Sequence, residues 1–386
     1  LLWVAPFFSI CGILLFTTPD LEYGGKLIWA YVTYIMMMTV YTGINVPYGA
    51  MLGVMTDDSN EKTVFSSFRM FFAYGGSFIS LFLWEPLTNL MGGYNTSGGW
   101  FWAMVVIAAV CFVMFILCFT MTREHLKTVS TVSVGSDFKA LLSNKPWWLL
   151  IGAALCFNLF NTVRGATVAY FFQDIIGTEV SLVFFGLMFA FYAGLFLGIG
   201  EVSNMVGVAS CVPISNKLGK KTTFILVNAS LVVLSVAFFF IPCTPTGYWM
   251  MLIFQILISI LTGIMSPLVW SMYADVSDYA ELKFQTASTG LIFSSSSMAQ
   301  KFGGAIGGAA VLWLLSGFGY ITDPELLAQG NVVQPESALD CLRWLMSFVP
   351  ACVALLSMCV VWFYPLTTER IEEINRELKK VRAIED

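Results

Sequence analysis

Thr39, Thr42 and Asn45 set polar side chains on successive turns of a long apolar run, and Arg69 follows after an acidic loop, in and just before the stretch YTGINVPYGAMLGVMTDDSNEKTVFSSFR from Tyr41 to Arg69. A polar group in hydrocarbon costs free energy unless it has a partner or faces a water-filled cavity, so these residues are candidates for handling a solute. Thr42 and Asn45 are three apart and share one helix face. The plainer alternative is that they only join helix to helix, as Thr and Asn often do. Arg69 offers five fixed donors, Asn45 a donor and an acceptor, and Tyr41 and Tyr48 aromatic faces with polar tips, which together suit a hydroxylated ring. Against this, an arginine near the end of a span can simply snorkel to the interface. Pro47 is expected to break the first of the two helices.

Other charges fall inside apolar surroundings. Arg164 lies in FNLFNTVRGATVAYFF, with Asn161 and Asn158 on nearly the same face, and Lys301 lies in the glycine-rich SMAQKFGG. A charge at such depth lines a cavity or belongs to an internal ion pair. Asp275, Asp278, Glu281 and Lys283 cluster where a span is expected to end, as gating pairs or as a solvated helix end. Glu85 precedes Pro86 and reads as interfacial. Glu201 sits in an unusually long apolar segment, which a broken helix or an insertion would explain.

The composition fixes the setting. With 58% hydrophobic and 11% charged residues, where a soluble domain is about one quarter charged, the chain is an integral membrane protein. A net charge of -5 without a basic stripe gives no footprint for nucleic acid. The single histidine, His125, leaves almost no material for a histidine metal site or catalytic triad. Most of the nine cysteines lie in apolar runs without paired spacing and read as small core residues. SNKLGKKT lacks the spacing of a phosphate-binding loop, and Asn95-Thr96-Ser97 is a short glycosylation match of little weight. No cofactor is expected. A membrane-embedded transferase would show clustered His, Asp or Glu, and a sensor would carry a folded cytoplasmic domain; neither feature is found.

Ten apolar runs are long enough to be spans, at about 1–17, 25–52, 66–91, 99–121, 147–172, 181–213, 222–242, 247–274, 288–317 and 342–364. Lys and Arg concentrate in alternate connections and in the tail, which places the C-terminus in the cytoplasm. The polar connection from Thr122 to Pro146 reads as a linker between a four-span bundle (1–121) and a six-span bundle (147–364). The tail from 365 to 386 places Ile371, Ile374 and Leu378 on one face of an amphipathic surface helix. The chain opens inside an apolar run and reads as a fragment. If the two halves match, two spans are missing from the six-plus-six major facilitator fold, an all-α membrane architecture with the substrate site between the halves.

Three stretches carry a closer resemblance. YTGINVPYGAM with its acidic loop and SFRMFFA, ADVSDYAELK from Ala274 to Lys283, and SMAQKFGG from Ser297 to Gly304 resemble, in that order, the fourth and fifth helices, the signature after the tenth helix and the eleventh helix of the glycoside-pentoside-hexuronide:cation symporters. The resemblance implies symport of a sugar with Na+ or H+ by alternating access, in the inner membrane, by a protein that works as a monomer. It implies cation binding at Thr42, sugar binding around Asn45, Arg69, Ser297 and Lys301, and gating by Asp275, Asp278, Glu281 and Lys283; Tyr41 and Arg164 are added from their residue types. Asn45 stands where the melibiose carrier has an aspartate, and Gly49 and Ser266 where it has tryptophans, so a galactoside preference is not carried over. A carrier of lipid or another amphiphile is the alternative within transport, and it would favour an apolar cavity over aligned Asn, Arg and Lys.

Overall fold

A computed structural model describes residues 2–56, 58–93, 96–122, 134–176, 182–184, 187–189, 192–244, 247–284, 289–321 and 333–385. Asn95, His125 and the rest of the stretch 123–133 lie outside the described residues. The first helices are α1 (Ala5–Leu15), α2 (Tyr23–Met55), α3 (Ser59–Leu90) and α4 (Ser97–Met121). A short helix α5 (Val134–Leu142) within the expected linker leads into α6 (Lys145–Phe171), which continues as a π turn over Phe172–Ile176. Then come strands β1 (Leu182–Phe184) and β2 (Leu187–Phe189), α7 (Tyr192–Leu218), α8 (Lys220–Phe238), α9 (Gly247–Phe284) and α10 (Thr289–Gly317). The chain finishes with α11 (Glu336–Met346), α12 (Phe348–Trp362) and α13 (Thr368–Glu385).

Among the described residues eight segments are long and apolar enough to cross a membrane, one of them made of α11 and α12 together. α1 is apolar but short, and α3 has the length but carries too much polar surface. The expected single run over 181–213 divides into an antiparallel strand pair, Leu182 opposite Phe189, followed by α7. The expected last span breaks at Ser347, whose backbone leaves the helical region and whose hydroxyl donates to Arg343 O at 2.5 Å.

Several expected boundaries are corrected by the structure. Pro47 does not break α2, which runs unbroken for 33 residues, and Pro86, Pro213 and Pro267 also lie inside helices. In a membrane bundle neighbouring helices and local adjustments satisfy the carbonyl that a proline frees, so the helix continues. The signature from Ala274 to Lys283 does not follow its helix but forms the last turns of α9, a helix of 38 residues. α3 begins ten residues before Arg69, capped by Asp58 Oδ1, which accepts from Asn60 N at 2.7 Å and Glu61 N at 3.2 Å. At 1.5 Å per residue Arg69 is therefore about 15 Å along the helix.

The helices are organised around α9. Its most apolar window is 61% buried inside the protein, whereas those of α2 and α4 are 11% and 6% buried and turn their side chains outward. α9 packs on α7, α3 and α8; α6 packs on α10 and α12; α10 also meets α2. Glycine sets the closest of these approaches. A Cβ on Gly207 of α7 would lie 2.0 Å from Ile260 O, and one on Gly263 of α9 would lie 2.3 Å from Asn204 O. α13 buries Ile371, Ile374 and Leu378 against α9, so its apolar face meets protein.

Because backbone cannot retreat as a side chain can, Gly263→Ala is expected to lower stability by about 1–3 kcal/mol or more. Gly308→Ala, where nothing lies within 4 Å of the new Cβ, should be close to neutral. Thermal unfolding of the two purified variants in one detergent checks the contrast.

Candidate functional site

α3 lies along α9 through a ladder of polar contacts. Thr63 Oγ1 donates to Ser271 Oγ at 3.3 Å, Ser66 Oγ donates to Pro267 O at 2.8 Å, and the Tyr74 and Ser266 hydroxyls share a hydrogen bond of 2.5 Å. Lys62 closes the ladder at its end with an ion pair to Asp278 Oδ2. Residues 62, 66 and 74 recur at helical spacing, so the polarity that keeps α3 from reading as a span is concentrated on the face it turns to α9. Asp275, one turn before Asp278, pairs with Lys220 Nζ of α8 at 2.6 Å. Lys62 is 0% exposed and both aspartates are buried.

From Thr262 to Asp278 every residue of α9 is buried. The bundle is therefore closed around the paired end of this helix. Just past α12, Tyr364 belongs to the same closure: its carbonyl accepts from Lys221 Nζ at 2.7 Å. Burial, then the negative charge of Asp275, holds its phenol well above the ordinary tyrosine value, so it carries no charge near neutral pH. Lys283 is not part of this arrangement. Its ammonium donates to Tyr279 OH at 2.8 Å and lies near the Phe284 ring, because at an exposed helix end its own turn offers the nearest partners. Glu281 is half-buried on the same turns of α9.

Further along, α2, α3 and α10 bring the expected polar residues together. Asn45 Nδ2 donates to Ser297 Oγ at 3.3 Å, and Arg69 Nη2 donates to Asn45 Oδ1 at 3.4 Å. The Arg69 guanidinium lies 4.0 Å from the Trp270 ring centroid and 4.7 Å from that of Tyr48. Two aromatic faces and an amide thus take a charge that hydrocarbon would reject. Its Nη1 is buried and meets no hydrogen-bond partner among the described residues. Trp270 packs over Gly49, where a Cβ would lie 3.1 Å from the ring, and stacks on Phe293. One turn away, Lys301 Nζ donates to Thr42 Oγ1 and to Met38 O at 3.1 Å and lies 5.6 Å from the Tyr41 ring. Lys301 and Thr42 line an open groove on α2.

Arg164 is not brought to this cluster. It donates to Met346 O at 2.7 Å and to Gln255 Oε1 at 2.9 Å, tying α6 to α11 and α9. Its position still borders a cavity of about 450 Å³ enclosed by α3, α6, α7, α9 and α10, whose wall includes Tyr74, Asn158, Glu201, Gln255, Trp270 and Gln300. The cavity therefore joins the Trp270 side of the Arg69 cluster to a polar wall from the later helices. Glu201, given no role from sequence, is on that wall. Trp270 was equally hidden among twelve tryptophans, with nothing in its spacing to single it out. Among the described residues no group of three or more His, Cys, Asp or Glu is arranged to hold a metal ion.

The family model for MFS/sugar transport proteins, where MFS stands for the major facilitator superfamily, matches residues 1–368. The chain belongs to this family. The MFS/sugar transport proteins are transporters and not enzymes, and the resemblance read from the three sequence stretches holds. An inner membrane symporter, YicJ, of Escherichia coli is 32% identical over 376 residues, 97% of this chain and 77% of that protein. An isoprimeverose transporter of Lactiplantibacillus pentosus is 28% identical over 94% of this chain and 72% of its own length. A glucuronide carrier protein homolog of Escherichia coli is 27% identical over 99% and 79%. In fold, the chain is similar to the Escherichia coli fucose:proton symporter, with a TM-score of 0.67 at 13% identity over 95% of this chain and 83% of that one. The all-helical major facilitator-like architecture is therefore established for a multi-pass membrane protein of this family.

Removing one partner of a buried ion pair strands the other, so Asp278→Asn is expected to cost about 3–5 kcal/mol. The double variant Lys62→Met, Asp278→Leu should recover most of that loss. Thermal unfolding of the single and double variants is the check.

Proposed function

We propose that the protein is a secondary active symporter that couples Na+ or H+ to uptake of a glycoside, pentoside or hexuronide by alternating access. The observation that carries this reading is the Asn45, Arg69 and Ser297 cluster, built from three separate helices beside Trp270, which also lines a polar cavity. Relatives described as an inner membrane symporter, a putative glycoside/cation symporter and a glucuronide carrier homolog support sugar as the solute and a cation as the coupling ion. In this reading residues 1–121 and 147–364 form two rocking halves in the inner membrane, with the tail helix in the cytoplasm and one chain as the working unit.

The physical logic follows from desolvation. A sugar leaves water at small cost only where its hydroxyl hydrogen bonds are replaced, and Asn45 supplies a donor and an acceptor at one spot. Arg69 holds the Asn45 amide in place and, through the Trp270 ring, helps to fix an aromatic face for the C–H surface of a sugar ring. Thr42 and Lys301 form the neighbouring element on the cation side, where the lysine ammonium occupies the threonine oxygen. The Lys62 and Asp278 pair spans the first and second halves, so it must separate when the paired end opens, whereas Lys220 and Asp275 remain within the second half.

A buried donor left without its partner costs about 1–3 kcal/mol, so Arg69→Ala or Asn45→Ala should weaken sugar binding roughly 5- to 150-fold. Equilibrium binding across a panel of labelled glycosides, pentosides and hexuronides tests this. Near-unchanged affinity in both variants, with normal folding, would move the sugar site elsewhere.

A further inference from the structure

Glu201 lies nine residues into α7, about 14 Å along its axis, on the wall of the 450 Å³ cavity. A carboxylate at that depth is costly unless something nearby answers its charge. Nothing does. Its Oε2 is buried and meets no hydrogen-bond partner among the described residues. Several polar groups on the same wall are bonded to other partners. Arg164, the cation on the same wall, spends its guanidinium on Met346 O and Gln255 Oε1. Gln255 Nε2 donates to Ser259 Oγ at 3.2 Å, and the Tyr74 hydroxyl is shared with Ser266. Arg69 stands behind the Trp270 ring and is not among the lining residues.

The backbone that carries Glu201 is also held in place. A Cβ on the adjacent Gly200 would come within 2.9 Å of Gln255 Nε2, and the glycine contact of Gly207 with the α9 backbone fixes α7 two turns further on. An acceptor that meets no donor among the described residues, in a cavity of about 450 Å³ whose lining cation, Arg164, is bonded to Met346 O and Gln255 Oε1, is complementary to hydroxyl groups and repels a second carboxylate.

We infer that Glu201 is a specificity-determining residue, which accepts hydrogen bonds from the hydroxyls of an uncharged glycoside in this cavity and rejects hexuronides. The inference rests on the sugar-transport reading and narrows it to one substrate class. Two like charges some 6–8 Å apart at an effective dielectric of about 20 correspond to about a ten- to hundredfold difference in affinity once partial screening is allowed for.

The test is equilibrium binding to the purified protein in lipid nanodiscs at neutral pH, with methyl β-D-glucoside against methyl β-D-glucuronide and methyl β-D-galactoside against methyl β-D-galacturonide. The neutral member of a bound pair should bind about ten- to hundredfold more tightly, and added salt should narrow the gap. Glu201→Gln, close in shape and checked for unchanged thermal stability, should bring the ratio toward one, while Glu201→Asp keeps a preference for the neutral sugar. A wild-type protein that binds the uronide as tightly as its neutral partner, or a Glu201→Gln ratio unchanged from wild type, overturns the assignment and leaves sugar transport standing. Failure of all four sugars to bind overturns both.

Discussion

The buried ion pair between Lys62 and Asp278 is the contact on which the rest of the arrangement depends. Lys62 is fully buried, and in such surroundings an ammonium without a carboxylate would carry a penalty of several kcal/mol. The pair therefore does more than add attraction: it forbids any packing in which the start of α3 leaves the end of α9 without water replacing it. The hydroxyl ladder above it, from Thr63 to Tyr74, follows from that docking, since α3 can meet Ser271, Pro267 and Ser266 only in this register. Lys220 repeats the rule on the other side of α9 through Asp275. Two aspartates one turn apart thus anchor helices on two sides of a single central helix.

With one end closed in this way, the space left for a solute lies beside α9 between Gln255 and Trp270. Its walls meet two demands that pull against each other. The glycine contacts of α7 with α9, and of α10 with α6 at Gly303, hold the backbones close and the lining side chains rigid. The charges inside must also be satisfied without filling the cavity. Arg164 meets the second demand by bonding a carbonyl and an amide, and Arg69 by lying between two aromatic rings and an amide. Glu201 alone, among the charges lining the cavity, is left for the solute to answer.

The sequence showed the helices well because hydrocarbon demands long apolar runs, and Thr42, Asn45, Arg69, Ser297 and Lys301 stood out because polar groups are rare within such runs. Partners were harder to read. Lys62 and Lys220 looked like ordinary positive residues of loops, since the buried aspartates that receive them are distant in sequence. Trp270 could not be separated from other tryptophans, because its role comes from facing a glycine on another helix. Pro47 misled for a physical reason: the penalty of a proline is local, and a surrounding bundle can absorb it. Arg164 was read as a cavity-lining or ion-paired charge, whereas its partners are a carbonyl on α11 and an amide on α9, which lie far along the chain and gave no local signal.

Alternating access at the α3 and α9 contact can be measured by electron–electron distance spectroscopy on spin-labelled protein in nanodiscs, with the native cysteines replaced. One label pair, at Asn60 and Lys283, reads the ion-paired end, and a second, at Leu90 and Phe240, reads the opposite end; all four positions are exposed. The account predicts two populations whose distances move in opposite directions, with Asp278→Asn enriching the state in which the ion-paired end is apart. Distances that stay fixed under saturating sugar and cation and in the Asp278→Asn variant, or that lengthen together at both ends, would contradict it.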